Sequence, residues 1–219
     1  MGVVKMSKSP MRPDGVQKIL AVCGILGPII YTIVLTALGM MWPSYDPVSQ
    51  YMSELGAVDA PHAIIMNTFG FSLLGIFFIL FGFGLYLGLR KHAVTTISII
   101  LIVVAGISMF AVGFFPCDPG CNNVTPTGIA HSLTATIPAI VMPIGILLSA
   151  YSLRKDHNWQ GHWWLLSLVF GVTSVLLSPL GMVPMLNSVR GLVQRIGIGI
   201  PLLWMEIMSI KLLLLTKSS

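Results

Sequence analysis

Long apolar runs alternate with short polar links along the whole chain. Six runs qualify as membrane spans, about 18–42, 62–89, 93–115, 129–153, 163–183 and 191–215. A hydrocarbon core roughly 30 Å thick needs about 20 apolar residues of helix. Lipid offers no partners to backbone amides, so apolar runs of this length are helices rather than barrel strands. The pattern predicts an all-α, polytopic membrane protein with a single six-transmembrane-helix domain over 18–215. Tails at 1–17 and 216–219 flank it. Prolines 28, 138, 143, 179 and 201 fall inside the runs, where neighbouring helices can satisfy the carbonyls they free.

Composition agrees. Charged residues make up 9% of the chain, hydrophobic residues 55%, and the mean hydropathy is +0.90. A soluble domain carries about 25% charge to coat its surface, so lipid must cover most of this one. The first run exceeds the roughly 7–15-residue core of a signal peptide and lacks a small-residue cleavage site, so it is read as a retained span. Met6 breaks the myristoylation pattern. The net charge of +5 sits in short clusters without any nucleic-acid motif, so no nucleic-acid partner is expected.

Charge placement gives an orientation. With the N-terminus inside, Lys5, Lys8, Arg12, Lys18, Arg90, Lys91, Arg154, Lys155, Lys211 and Lys217 are cytoplasmic, and only Arg190 and Arg195 fall outside. Both termini are therefore expected in the cytoplasm. Gly84 and Gly88 form a small-xxx-small pair, as does the looser series Gly171, Ser174, Ser178, Gly181. Such pairs read first as packing within the bundle, and second as a homo-oligomer interface through Gly84 and Gly88. The two halves of the chain do not look alike, which argues against an inverted-repeat transporter.

The outer loops hold the unusual residues. In the first, Asp46-Pro47 reads as a helix start and Gly56 as its stop. Val48, Tyr51, Met52 and Leu55 recur as an apolar stripe, opposite Ser49, Gln50, Ser53 and Glu54. This predicts a short amphipathic helix over the outer mouth, either a lid or a mere cover for span ends. In the second, the Asp118-Pro119-Gly120 turn brings Cys117 and Cys121 together, as a disulfide, free thiols or, less simply, zinc ligands. Asn123-Val124-Thr125 matches a glycosylation acceptor, a pattern common by chance.

Ionisable residues close to the outer half of the spans are expensive unless paired or hydrated. His131 lies just inside the fourth span, and Gln194 and Arg195 open the sixth. Arg195 is expected to pair with Asp118 or Glu54, with His131 beside them, either as a ligand pocket or as a structural ion pair. Glu206 lies three helical turns deeper on the Arg195 face, where it is either protonated and bonded to a neighbour or part of a proton path.

These features in this order resemble the uncharacterised prokaryotic membrane family called domain of unknown function 998. The resemblance rests on Ser49-x-Tyr51-x-Ser53-Glu54-Leu55-Gly56, Phe115-Pro116-Cys117-Asp118, His131-Ser132 and Gln194-Arg195. It covers about residues 18–215 and implies the plasma membrane of a bacterium or archaeon, but no activity. The Cys117/Cys121 pair is not clearly part of the family pattern.

Three functions compete. The first is handling of a lipid or small ligand in an outer pocket, with Ser49, Ser53, Glu54, Asp118, His131 and Arg195 as binding residues. Were it an enzyme, His131 would be the acid/base, partnered by Glu54 or Asp118. The second is a proton-coupled transporter using Arg195 and Glu206. The third is a non-catalytic scaffold or assembly subunit. Neither metal nor cofactor is expected; haem in particular lacks a second histidine facing His131 within the membrane. Membrane lipids are the expected partners.

Overall fold

The structure, a computed structural model, describes residues 14–217. Lys5, Lys8 and Arg12 of the predicted cytoplasmic tail lie outside the described residues. Six spans are present: α1 (Asp14–Met41), α2 (Ala63–Gly88), α3 (Ala93–Val112), α4 (Pro126–Arg154), α5 (Trp163–Leu177) and α6 (Arg190–Lys217). All six are long and apolar enough to cross a membrane, α5 with its following turn to Leu180. Their outward faces carry Ile33, Phe83, Ile107, Leu133, Leu176 and Leu203, all exposed, so the surface of the bundle is as apolar as its centre. Such a surface is stable only against hydrocarbon.

The spans form a ring in which each helix packs on its neighbours in sequence, and α6 closes it against α1. Close approaches are made by glycine. A side chain at Gly75 of α2 would run into the α3 backbone at Phe110, and one at Gly171 of α5 would meet Leu147 of α4. Gly84 faces Leu20 of α1, and Gly88 faces Gln17 of α1 and Leu212 of α6. Both glycines of the small-xxx-small pair are thus used inside the bundle.

The prolines of α4 illustrate how the ring tolerates them. Pro138 frees the carbonyl of Thr134, and Ser108 of α3 donates to it at 2.7 Å. Pro143 frees the carbonyl of Ala139, and Ser178 beyond α5 donates to it at 2.9 Å. Each kink is therefore satisfied by a serine on a neighbouring segment, as lipid-exposed helices require. In α2 the turn Met66–Ser72 is π-helical, and the Ser72 hydroxyl donates to Phe110 of α3 at 3.0 Å.

The two ends of the ring differ. The end bearing Arg90, Lys91, Arg154, Lys155 and Lys211 is filled by large side chains. Trp159, Trp204, Phe81, Leu85, Met205 and Leu153 are fully buried there. The Trp204 indole donates to Ser167 at 2.8 Å and stands edge-on to Phe81, and the Trp159 indole donates to the Gly88 carbonyl at 3.0 Å. Lys91, Arg154, Lys155 and Lys211 sit over aromatic rings at this end. Asp156 joins its two short links by accepting from the Arg90 amide and capping Asn158.

Candidate functional site

At the opposite end the three longer loops cover the ring, and here the interior is hollow. The first loop differs from its prediction. Instead of one amphipathic helix from Asp46 to Gly56, a turn at Asp46–Gln50 is followed by an extended Tyr51 and a 3-10 helix, Met52–Gly56. Asp46 does cap its turn, accepting from the Val48 amide at 3.0 Å and from Ser49. The helix cannot continue because distant arginines take its carbonyls. Arg195 donates to the Pro47 carbonyl at 2.6 Å and the Gln50 carbonyl at 3.2 Å, and Arg190 donates to the Ser49 carbonyl at 3.0 Å. The 3-10 helix is buried on all sides, Ser53 and Glu54 included, while Val48 of the expected apolar stripe is exposed.

The expected ion pair is also different. Glu54 pairs with Arg190 at 3.4 Å, not with Arg195. Its carboxylate further accepts from the Tyr51 amide and the Gln50 amide group, both at 2.9 Å, so every oxygen of this buried acid is used. Among the described residues Arg195 pairs with no carboxylate; besides the loop carbonyls it donates to the Gly191 carbonyl at 3.0 Å and to the Tyr45 hydroxyl. Tyr45 passes that bond on to the Tyr51 carbonyl at 3.0 Å. Burial pushes the Tyr45 phenol up, against the lowering effect of Arg195. Arg190, Gly191, Gln194 and Arg195 recur at i, i+1, i+4 and i+5, one polar stripe of α6 that fastens the whole loop. Sequence reasoning found Gln194 and Arg195 in this stripe and missed Arg190.

Asp118 is likewise bound within its own loop. It accepts from the Val124 and Thr125 amides at 2.7 and 2.8 Å and from the Thr125 hydroxyl at 2.7 Å. Thr125 in turn caps α4 by accepting from the Gly128 amide at 3.1 Å, with Pro126 at the first helical position. Its hydrogen bonds, the Thr125 hydroxyl foremost, hold the Asp118 carboxyl below its usual range. Cys117 and Cys121 form a disulfide across this turn. A bridge closing so small a loop contributes only about 2 kcal/mol by chain entropy.

Beneath these loops lies a cavity of about 590 Å³. Its back wall is Phe71 and Phe78 of α2 with Met109 and Val112 of α3; α4 and α6 supply small or kinked residues, among them Ala135, Pro138, Ala139, Gly197 and Pro201. Ser53, Cys121, Asn123, His131, Ser132 and Gln194 form a polar rim. Of the six residues expected to bind a ligand, Ser53 and His131 line this cavity. Ser49, Glu54, Asp118 and Arg195 instead build the frame around it. Gln194 uses its carbonyl oxygen to accept from the Met52 amide at 2.6 Å. His131 is buried, and Nδ1 lies 2.7 Å from the Phe115 carbonyl; that nitrogen must donate, which leaves Nε2 as an acceptor on the neutral ring.

One acceptor on the rim, the side-chain oxygen of Asn123, is buried without a hydrogen bond. On the wall, Pro201 lacks the amide that would otherwise hold the Gly197 carbonyl in the helix ladder. At Gly197 an added side chain would meet open space, as expected on a cavity wall. No carboxylate and no cationic side chain is among the lining residues.

The residues that carry the resemblance, from Ser49 to Gly56, Phe115 to Asp118, His131, Ser132, Gln194 and Arg195, thus gather at one mouth. The chain belongs to the DUF998 family of proteins of unknown function. The family model matches residues 25–211, which spans all six helices and both structured loops. Comparison with curated proteins and with solved structures found no match.

Among the described residues, Cys117, Cys121 and His131 are the one group whose ligating atoms come together as a metal site would require, within 4.8 Å of one another. The disulfide occupies both sulfurs, so the pair as it stands offers no thiolate to a metal. His62, the other histidine at this end, is not part of the cluster.

Proposed function

We propose that this DUF998 protein binds a lipid or small, largely neutral ligand in the cavity between α2, α3, α4 and α6, opening on the outer side of a prokaryotic plasma membrane. The observation that carries this reading is the cavity itself, about 590 Å³ with apolar walls and a hydrogen-bonding rim. Ligand sites of this kind typically enclose about 300–1,000 Å³ and pair apolar walls with a few polar groups. The absence of charge on the lining favours hydroxyl, carbonyl or amide groups on the ligand over a phosphate. Arg195, the cation expected among the binding residues, spends its donors on the first loop and on Gly191 of its own helix. Outward orientation rests on the basic clusters at the filled end of the ring.

The carrier reading draws less support, because neither Arg195 nor Glu206 is among the residues lining the cavity. A scaffold reading leaves the cavity without a purpose.

The test is native mass spectrometry of protein purified in mild detergent, comparing wild type with Gly197→Phe. The added ring enters open space, so the fold should survive while the ring obstructs the cavity beside Pro201. Wild type should retain a small molecule that the variant lacks. Equal spectra from two well-folded proteins would refute the proposal. Orientation is read by labelling Met185→Cys, at an exposed loop site, with an impermeant maleimide on intact cells. Labelling only after lysis would invert the topology.

A further inference from the structure

The rim of the cavity carries a bond that can be opened. Cys117 is fully buried, whereas Cys121 lines the cavity and is partly exposed. The two sulfurs of one disulfide therefore differ in access, one reachable and one shielded. The Ser53 hydroxyl lies 3.4 Å from the Cys121 sulfur, and Sγ of Cys117 lies 3.4 Å from the Ser53 carbonyl. A ring nitrogen of His131 is within 4.8 Å of both sulfurs. Cys121 (φ 52) and Asn123 (φ 53) are the non-glycine residues with left-handed backbone among the described residues, and both line the cavity. Such backbone is uncommon outside glycine and concentrates at functional positions. Since the bridge adds little to folding, its placement between an apolar chamber and the loop surface calls for another account.

We propose that Cys117–Cys121 is a redox-active pair that passes two electrons from an external dithiol to a quinone-class lipid held in the cavity. The inference rests on the cavity being a lipid site and names the class of lipid. A quinone fits the lining, with a flat ring and tail for Phe71, Phe78 and Met109, and two carbonyl oxygens for hydroxyl and amide donors at Ser53, Ser132 and Asn123.

The electrons and protons balance in two stages. First, a thiolate of the external dithiol attacks the reachable Cys121 sulfur, the S–S bond breaks, and Cys117 leaves and takes up a proton. The second thiol of the donor then displaces Cys121, so the donor becomes a disulfide and the pair a dithiol. Next, Cys121 gives its proton to His131 and adds to a ring carbon of the quinone. Cys117 attacks the Cys121 sulfur, which restores the S–S bond and breaks the C–S bond, and the electron pair stays on the ring. The two thiol protons end on the quinol oxygens, one of them carried by His131. One dithiol is oxidised and one quinone reduced per cycle.

The experiment uses the full chain in detergent, with Cys23→Ser to remove the one remaining free thiol. The protein is reduced, freed of reductant under argon and mixed with decylubiquinone, a water-dispersible quinone. Quinone absorbance and thiols (by maleimide mass shift) are followed together. We expect one quinol formed per two thiols lost, no turnover in Cys121→Ser, and strongly slowed turnover in Gly197→Phe, whose sulfurs are untouched. His131→Gln should slow the reaction about a hundredfold, the size of effect a positioned base gives, and remove the acid limb of its pH profile, where protonation of that base costs rate. Thiols that stay reduced under excess quinone overturn the proposal, as does a rate equal in wild type and Gly197→Phe. Native mass spectra of the same samples separate the two ideas. Bound lipid with inert thiols refutes only the redox role, and neither bound lipid nor turnover refutes both.

Discussion

Replacing Arg195 by alanine should release the first loop while leaving the helices in place. The guanidinium makes three bonds to the Pro47, Gln50 and Gly191 carbonyls and a fourth to Tyr45. Three of the four tie α6 to the loop; the Gly191 bond stays within the helix. Bonds to a charged group are worth about 1.5–3 kcal/mol each when buried. This group is partly exposed and its carbonyls can turn to water, so the sum is discounted to about 2–3 kcal/mol. At about 1.4 kcal/mol per decade, loop amides should exchange roughly 30- to 150-fold faster. Hydrogen-exchange mass spectrometry over 45–58 reads this directly, with peptides of α4 as internal reference. Arg195→Lys should recover only part of the protection. An ammonium cannot reach the Pro47 carbonyl and the Tyr45 hydroxyl from two ends of a planar fork. Unchanged exchange in Arg195→Ala, or acceleration spread evenly over the helices, would refute the clamp.

Two further outcomes follow from the same geometry. The Asp118 carboxyl is held below its usual range by Thr125 and Val124, so the stability it lends is fully present above its unfolded value of about 3.9. That stability is lost as pH falls through the lower folded value. Exchange of the Val124–Gly128 amides should accelerate in that acid window and become pH-independent there, apart from intrinsic chemistry, in Asp118→Asn. Gly75→Leu should separate α2 from α3 and lower thermal stability by an overpacking cost of about 1–3 kcal/mol or more, whereas Gly197→Ala should be nearly silent. Equal melting shifts in the two variants would count against the packing described for either glycine.

The spans were legible because membrane hydrophobicity is written into contiguous residues. Each of the six runs needs no knowledge of its neighbours. The proline rule was legible too, since the carbonyls freed by Pro138 and Pro143 had to find partners, though not that Ser108 and Ser178 supply them. The first loop misled because its carbonyls are claimed from about 140 residues away. Local pattern at Asp46–Gly56 favours a helix, but Arg190, Leu192, Gln194 and Arg195 on a distant element engage its backbone groups instead. Asp118 reads as a binding acid because it is a carboxylate on the same side as Arg195; its actual partners Val124 and Thr125 are near in sequence but lie across a turn whose course the sequence leaves open. His131 stands out as an ionisable residue just inside a span and Ser53 as part of the polar face of the first loop, and the cavity lies beside both. The cavity itself leaves almost no trace in sequence. It arises from what is missing, the side-chain volume not supplied by Ala135, Ala139 and Gly197.

That missing volume argues for an occupant. Apolar lining that faces a void loses the contacts a packed neighbour would supply. The space is open on one flank, where Ala139, Ile140 and Pro179 line it while remaining exposed, so a guest can enter from that side. The filled end shows that this chain can pack a membrane interior densely, with Trp204, Phe81 and Met205 interlocked between the same helices. Retaining small residues and kinks at the other end is therefore a choice of sequence rather than a limit of the fold. Water is a poor filler for walls of Phe78, Met109 and Ile198, so the space is balanced by an apolar guest or by lipid tails entering from the bilayer. A guest of fixed identity would give one discrete mass shift in wild-type spectra, and bilayer tails a broad lipid distribution. Both should weaken when the ring of Gly197→Phe obstructs the chamber, and unchanged spectra from the folded variant would refute an occupant at this wall.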